Sequence, residues 1–232
     1  MKKYIKKVLF ILLIIIIFLT IFFISRKIML NNYLNKTDEN SKKINYSTNI
    51  ILDMKDSNNN SKIKYEIVRS SYINKITLFN YSNDKVISDI NKYIVEKGSK
   101  KGSYVYDGKK YKKSDDIDED FYIDYNALKE KIKSIKKVDN VIINNKKYKK
   151  YIVKMNSYDA YNLIYKKEML KKEDSNKNVE VEIYIDKSND FVYKIKYEIN
   201  DLNNSNDSNS LNYNVEIINK DINNTSDIKL PF

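Results

Sequence analysis

Residues 179–199 contain the pattern that most constrains the fold, because apolar and charged residues alternate there on both sides of a short polar turn. Successive side chains of a strand point to opposite faces, so each arm has one apolar face and one charged face. The turn at 186–190 is rich in Asp, Ser and Asn, which hydrogen-bond their own backbone. The pattern predicts an antiparallel β-hairpin. Opposite charges are expected to face each other across it, at Glu180, Glu182, Lys194 and Lys196.

Shorter stretches with the same alternation recur through the chain from residue 46. They lie at residues 50–54, 63–67, 76–78 and 211–217. Further strands are predicted at 86–95 and 103–107, and another hairpin at 141–143 and 147–155. Polar turns separate them, and Asp107-Gly108 has the composition typical of a tight hairpin. Strands joined by short turns pair with their neighbours in sequence, so we expect a meander of about ten antiparallel strands.

Two stretches have helical rather than strand periodicity. Residues 125–138 place their apolar side chains on one stripe beside a lysine-rich face. Ser157 is a suitable N-cap for a second helix, which is expected to end near Leu170. The acidic segment at 114–120 lacks the Gly and the Glu that a calcium loop requires, so it is predicted to be a solvated loop. The polar tract at 201–210 is predicted to be a mobile loop.

The N-terminal residues have the features of a membrane anchor. A basic segment at 1–7 precedes an apolar run at 8–25, which as a helix is about 27 Å long and matches the hydrocarbon core of a bilayer. The run ends without the small residues of a signal-peptide cleavage site, so we favour an uncleaved anchor over a removed signal peptide. More basic residues precede the run than follow it, which predicts a cytoplasmic N-terminus. We expect residues 26–44 to form a tether, in which Ile28, Leu30 and Leu34 can prolong the anchor helix for two turns, and 45–232 an extracellular domain.

The composition excludes several classes of functional site. The chain has no Cys and no His, which removes disulfides, zinc fingers, thiol nucleophiles, Ser-His-Asp triads and haem ligation by His. Its three Gly residues are too sparse for a nucleotide-binding loop. No pair of carboxylates has a spacing that indicates catalysis. We therefore expect no metal site, no cofactor and no enzymatic activity.

The net charge of +12 does not indicate nucleic-acid binding. Six of the basic residues flank the apolar run, and the remaining excess is spread along the chain rather than clustered. A dispersed basic surface is suited to facing anionic lipid head groups or wall polymers. We expect no nucleic-acid partner.

The predicted elements together define an α+β fold. About ten antiparallel strands are expected to form one large curved sheet, and the two helices to lie against one face of it. The N-terminal transmembrane helix precedes this domain. A curved sheet with only two short helices tends to leave an apolar cleft, and such clefts are common ligand sites.

The order of these elements resembles the LolA/LppX superfamily of bacterial lipoproteins and lipoprotein carriers. The resemblance is carried by the Tyr-Val-Tyr-Asp-Gly-Lys-Lys-Tyr segment at 104–111, by the strand at 150–154 with the helix that follows it, by 181–186, and by 228–231. Within the superfamily the chain is similar to the clostridial germination lipoproteins, which implies a Gram-positive source and a role in sporulation or germination.

The sequence departs from the family at two points. The turn after Asp186 has no Gly, although the family turn usually contains one. The chain also lacks the Cys that carries the lipid in Gram-positive relatives, so we infer that the N-terminal helix replaces the lipid as the anchor.

The resemblance implies a half-open barrel with an apolar concave face that holds an acyl chain or a lipid. The candidate lining residues are Ile63, Tyr65, Leu128, Ile132, Ile183, Ile195, Tyr197, Tyr213 and Val215. The alternative is that these side chains pack against one another as an ordinary core and leave no cavity.

Two functions fit this sequence. The first is a membrane-anchored extracytoplasmic domain that binds a lipid or another apolar ligand on its concave face. The second is a non-enzymatic scaffold that binds a cell-envelope protein, such as a cell-wall (spore cortex) enzyme. Exposed strand edges suit the second function, because an unpaired edge can add a strand of a partner.

Overall fold

The computed structural model describes residues 2–55, 60–70, 72–114, 123–164, 177–203 and 210–231. Its helices are α1 (Lys2–Ser41), α2 (Tyr125–Lys131) and α3 (Ser157–Tyr161). Its strands are β1 (Tyr46–Lys55), β2 (Asn60–Ser70), β3 (Ile73–Ser82), β4 (Lys85–Val95), β5 (Gly102–Tyr106), β6 (Tyr111–Ser114), β7 (Ser134–Ile143), β8 (Lys146–Asn156), β9 (Asn178–Asp186), β10 (Phe191–Asn203) and β11 (Ser210–Lys220). The predicted α+β class is confirmed.

All the strands form one antiparallel sheet in the order β6-β5-β4-β3-β2-β1-β11-β10-β9-β8-β7. Each strand lies beside its neighbours in sequence, as the meander prediction requires, except that β6 and β7 lie at opposite edges and β1 pairs with β11 at the centre. The sheet is curved and does not close into a barrel. It therefore has two edges, β6 and β7.

Asn and Asp occupy the backbone positions that Gly takes in many other chains. The β3–β4 turn has φ of 47° at Asn83 and 61° at Asp84, and the β7–β8 turn has 49° at Asn144 and 62° at Asn145. Two consecutive left-handed residues are typical of a type I′ turn, whose twist matches that of the flanking strands. Asn and Asp tolerate this region better than other non-Gly residues, which explains how a chain with three Gly residues makes tight hairpins.

The hairpin predicted at 179–199 is formed by β9 and β10. Glu182 lies opposite Lys196, as expected. Glu180 and Lys194 are not paired across this hairpin: Glu180 forms an ion pair with Lys136 of β7, and Lys194 forms one with Glu216 of β11. The sheet extends on both sides of the hairpin, so charged residues of other strands pair with Glu180 and Lys194.

Asp186 organises the turn of this hairpin. Its carboxylate accepts hydrogen bonds from the backbone N–H of Ser188 at 3.0 Å, the Asn189 side chain at 2.8 Å and the Lys146 ammonium at 2.5 Å. Burial acts to raise the pKa of Asp186, but the hydrogen bonds from Lys146 and Ser188 outweigh it and hold this pKa below its usual range.

The segment expected to be a tether is instead the second half of α1. The helix runs without a break from the apolar segment to Ser41, and Leu30 and Leu34 are fully buried. Residues four apart lie on the same face of a helix, so these two leucines enter the hydrophobic core together. Packing against the sheet thus replaces the flexible connection that the polar composition suggested.

Polar contacts join α1 to α2. The amide of Asn126 donates to the Asp38 carboxylate at 2.9 Å, and the Lys129 ammonium donates to the Asn35 side chain at 2.8 Å. These bonds fix α2 alongside the second half of α1, which strengthens the attachment of α1 to the sheet.

A buried hydrogen-bond network joins both helices to the centre of the sheet. The hydroxyl of Thr37 accepts from the backbone N–H of Val192 at 3.0 Å. Asn219 accepts from the Thr48 hydroxyl at 2.7 Å and donates to the Tyr125 hydroxyl and the Val192 carbonyl, each at 2.8 Å. The Asn219 side chain therefore connects β1, β10, β11 and α2.

The helix predicted at 125–138 is too long at its C-terminal end. Asp124 caps α2 by accepting from the backbone N–H groups of Asn126 and Ala127, and the helix ends at Lys131. From Ser134 the chain is β7, which pairs along its length with β8. Pairing with β8 overrides the helical spacing of the apolar residues, as tertiary contacts commonly do.

The second predicted helix is capped by Asn156 rather than by Ser157, because the Asn156 side chain accepts from the backbone N–H of Tyr158 at 2.9 Å. The described part of the helix is α3, and the rest of the prediction, at 165–170, lies outside the described residues.

The predicted polar loops lie largely outside the described residues. This applies to 56–59, to 115–122 of the acidic segment, and to 204–209 of the Asn/Ser/Asp tract. The described residues on both sides of 56–59 and of 204–209, and those directly before 115, belong to strands, namely β1, β2, β6, β10 and β11. The strands are therefore longer than their apolar alternation indicated.

Candidate ligand-binding face

The inner face of the sheet is the side on which the three helices pack. Two rows of cross-strand neighbours run across it: Ile63, Leu52, Val215, Tyr197 and Val181, and beside them Tyr65, Ile50, Ile217, Ile195 and Ile183. Tyr213 lies on the same face, opposite Met54 and Ile199. The structure thus places all seven strand residues predicted to line a cavity on one face.

The nine predicted residues belong to one hydrophobic cluster. Seven of them are buried in it: Tyr65, Leu128, Ile132, Ile183, Ile195, Tyr197 and Val215. The other two, Ile63 and Tyr213, are partly buried and pack against it. Most of the predicted residues therefore pack as a core. Only Ile63 of β2 and Tyr213, near the N-terminal end of β11, keep partly accessible side chains.

The helices cover the inner face unevenly. Helix α1 contacts β7 and β10, and α3 contacts β8, β9 and β10. The Tyr161 ring, just after the first turn of α3, packs edge-on against Tyr213 with 5.4 Å between ring centroids. The described parts of the helices make at most sparse contacts with β2, β3 and β4, so this part of the face is left uncovered by the described helices.

We call this uncovered part the open end; it consists of Ile63, Leu78 and Ile90. The three residues are successive or diagonal neighbours on the inner face, since Leu78 pairs with both Tyr65 and Ile90. Ile63 and Leu78 are partly buried, and Ile90 is 42% exposed. The inner face thus changes from a packed core under the helices to an accessible apolar surface. Leu78 and Ile90 lie in stretches that the sequence predicts as strands, but they are not among the predicted lining residues, because alternation does not show which strands border a cavity.

The covered end contains a buried tyrosine that sequence reasoning did not single out. Tyr151 of β8 is fully buried, and its hydroxyl has no hydrogen-bond partner among the described residues. Burial raises the pKa of Tyr151, and the nearby Tyr33 of α1 adds to this effect. An unsatisfied buried hydroxyl costs about 1–3 kcal/mol, so this position stabilises the fold through its ring rather than its hydroxyl.

A second concavity lies on α1, outside the apolar core. It is a pocket of about 370 Å³ lined by Met29, Asn32, Tyr33, Asn35, Lys36, Glu39 and Asp190. The Lys36 ammonium bridges it to the β9–β10 turn through an ion pair with Asp190 at 2.5 Å. Its lining is polar and apolar in nearly equal parts, and it includes the charged residues Lys36, Glu39 and Asp190.

The charged residues of the outer face form cross-strand ion pairs. Lys150 of β8 pairs with Glu182 of β9 at 2.5 Å, and Tyr184 donates to the same carboxylate at 2.6 Å. Burial acts to raise the pKa of Glu182, but these hydrogen bonds outweigh it and lower the pKa.

In the part of the chain that the structure describes, no group of three or more Asp or Glu side chains could hold a metal ion.

No known protein family and no curated protein matches this sequence. Solved structures with the same architecture do exist. The structure of LprF from Mycobacterium bovis is 8% identical, covers 88% of this chain and 97% of its own, and has a TM-score of 0.50. The lipoprotein LppX from Mycobacterium tuberculosis is also 8% identical, with 87% of this chain and 98% of its own covered and a TM-score of 0.47.

The match to LprF confirms that the fold is the one implied by the LolA/LppX resemblance. At this identity it is a statement about the fold alone. The two structures give no support to the clostridial germination branch or to the Gram-positive and sporulation assignments.

Proposed function

We propose, from the premise that this chain has the fold of LprF, that it is a membrane-anchored extracytoplasmic domain that holds a lipid or another apolar ligand on the inner face of its sheet. The observation that carries the proposal is the open end, where the hydrophobic cluster continues into accessible apolar side chains. Exposed apolar surface that is continuous with a core is a common feature of ligand grooves. The LolA/LppX resemblance supports an acyl chain or lipid as the ligand.

In this proposal the predicted residues have two roles. Ile63, Tyr65, Tyr213 and Val215 lie nearest the open end and would contact the ligand. The remaining five lie under or on the helices and would form the packed floor of the site: Leu128, Ile132, Ile183, Ile195 and Tyr197. The ligand would thus extend the apolar layer that the helices leave unfinished.

The membrane anchor in this proposal is the N-terminal half of α1. Among the described residues this helix is long and apolar enough to cross a bilayer, and the apolar side chains from Ile5 to Ile24 are exposed. An exposed apolar helix of this length is stable in lipid rather than in water. With its N-terminus in the cytoplasm, the sheet would lie outside the cell. The protein would have no enzymatic activity, no cofactor and no nucleic-acid partner.

Native mass spectrometry of the full chain, purified in a mild detergent, tests lipid binding. The wild-type protein should retain lipid or take it up after delipidation. Ile90→Glu should weaken retention about tenfold or more, because losing the burial of one Ile costs about 1.5–3 kcal/mol. Ile142→Glu is the matched control, since Ile142 is 67% exposed but lies on the edge strand β7.

Two outcomes would overturn the proposal. The first is a wild-type chain that neither retains nor takes up any lipid. The second is equal retention by the Ile90 and Ile142 variants, which would show that the bound lipid does not contact the open end.

The scaffold function is the second candidate, and the edge strand β7 is the feature that bears on it. The edge is long, but it carries Lys136 and Lys137 and has a bulge between Ile135 and Lys137. Lysines and bulges are features by which edge strands resist pairing with other chains. A cell-envelope partner such as a cell-wall enzyme would therefore bind a different surface. Cross-linking of the full chain in its own membranes, with β7 proline variants, tests the edge directly.

A further inference from the structure

We infer that the folded part of this protein docks on the bilayer that α1 spans, through a basic cluster that binds anionic phospholipid head groups. The cluster consists of Arg26, Lys149 and Lys187. This inference rests on the membrane-anchoring part of the proposed function. It concerns how the sheet is held at the membrane rather than what the sheet binds.

The first step of the argument is that α1 is rigid between the bilayer and the sheet. The helix is continuous from the apolar run to Ser41, and its core contacts begin at Leu30. Leu30 is six positions beyond Ile24, which is about 9 Å along a helix. A connection this short and regular leaves the sheet little freedom to move away from the membrane surface.

The second step places the cluster at the depth of the head groups. Each head-group layer is about 5–8 Å thick, because the full bilayer exceeds its hydrocarbon core by twice this thickness. Arg26 and Met29 lie about 3 and 8 Å beyond Ile24 along the helix axis. The Lys149 ammonium lies 3.1 Å from the Met29 sulfur, so this lysine of β8 reaches the same layer.

The third step is that the cluster lacks an anion of its own. Lys149 of β8 is half-buried and pairs in register with Ile185 of β9, so Lys187 lies only two residues beyond this pair. Burial lowers the pKa of Lys149, and the charges of Lys187 and Arg26 lower it further by repulsion. Among the described residues none of the three forms an ion pair with a carboxylate, although many other lysines of this chain do. Three mutually repelling cations beside a bilayer are stabilised by phosphate groups, and each basic residue near an anionic surface contributes about 1 kcal/mol.

The test uses lysine acylation of the full chain in lipid nanodiscs, read residue by residue by mass spectrometry. One set of discs contains phosphatidylcholine alone and the other a mixture with phosphatidylglycerol. Lys187 should react about fivefold more slowly in the anionic discs, which is the factor that 1 kcal/mol implies. Lys85, an exposed lysine at the start of β4, is the internal control and should react equally in both.

A charge variant adds a second readout. In native mass spectra the wild-type chain should carry more bound phosphatidylglycerol than the Lys149→Gln/Lys187→Gln variant, and Lys85→Gln should match the wild type. High salt should reduce the protection of Lys187, because this lysine is exposed.

The outcomes separate this inference from the proposed function. Equal reactivity of Lys187 in the two kinds of disc overturns the docking and leaves the anchor intact. A chain that does not insert into discs at all overturns both. Protection of Lys187 by a soluble polyanion but not by anionic lipid also overturns it, since the cluster would then bind a wall polymer.

Discussion

Leu34→Ala gives the sharpest test of the finding that the second half of α1 belongs to the folded core. Leu34 is fully buried in the cluster that joins α1 to the sheet. Removing a buried Leu side chain costs about 2–5 kcal/mol, through lost burial and the cavity that remains. With a value of about 3 kcal/mol, and 2–4 °C per kcal/mol for a domain of this size, the melting temperature should fall by about 6–12 °C.

The assay is thermal unfolding of the full chain in detergent or nanodiscs, followed by the far-ultraviolet circular dichroism of the sheet. Leu19→Ala is the matched control, because Leu19 lies on the same helix but is 50% exposed in the apolar run. The control change alters helix propensity and side-chain size in the same way. It should leave the unfolding of the sheet within about 1 °C of the wild type.

Equal melting temperatures for the two variants would refute the reasoning. That result would mean that Leu34 makes no stabilising contact with the sheet. Residues 26–44 would then be the tether that their polar composition indicated, and the docking at the membrane would lose its basis as well.

Three further predictions concern single side chains. Asp186→Asn should destabilise the protein at neutral pH and progressively less below about pH 4. A carboxyl whose folded pKa is lowered stabilises the fold above its unfolded pKa, and this contribution is lost as pH falls through the folded pKa. Urea titrations at several pH values measure the difference in unfolding free energy, and a difference that is constant with pH would contradict the prediction. Asn219→Ala should cost about 2 kcal/mol or more in the same titrations, because it removes three hydrogen bonds in the buried interior. A loss within about 0.5 kcal/mol, which is what an exposed site gives, would contradict this. Tyr151→Phe should be neutral or stabilising by about 1 kcal/mol, because the hydroxyl has no partner among the described residues; a clear loss of stability would show that this hydroxyl is bonded.

The predicted cavity residues show what alternation can and cannot establish. A period of two places Ile63, Tyr65 and Val215 on the apolar faces of their strands, and the strand register shows that these faces form one face of the sheet. Alternation does not show which end of that face the helices cover. Ile90 is accessible because α1 and α3 pack over the opposite half of the sheet, which depends on contacts far apart in sequence.

The error at residues 132–138 has a similar cause. Ile132, Ile135 and Val138 are spaced as on a helix, and the spacing alone favours a longer α2. Both Ile135 and Val138 face the core from β7 because the bulge between Ile135 and Lys137 shifts the alternation by one residue. The local spacing of apolar residues cannot reveal this bulge, because the bulge depends on how β7 pairs with β8.

The sequence by itself determined the elements, because the period of side chains, the turn residues and the length of an apolar run act over a few neighbouring residues. It therefore specified most of the antiparallel strands, the hairpins and the apolar first half of the N-terminal helix. Only the tertiary structure decided how these elements combine. The central pair of the sheet joins residues such as Ser47 and Lys220, which are 173 positions apart, and no local pattern encodes such a pairing. Leu30 and Leu34 fit a lipid-facing helix as well as a packed one, and the core on β7–β10 is what buries them.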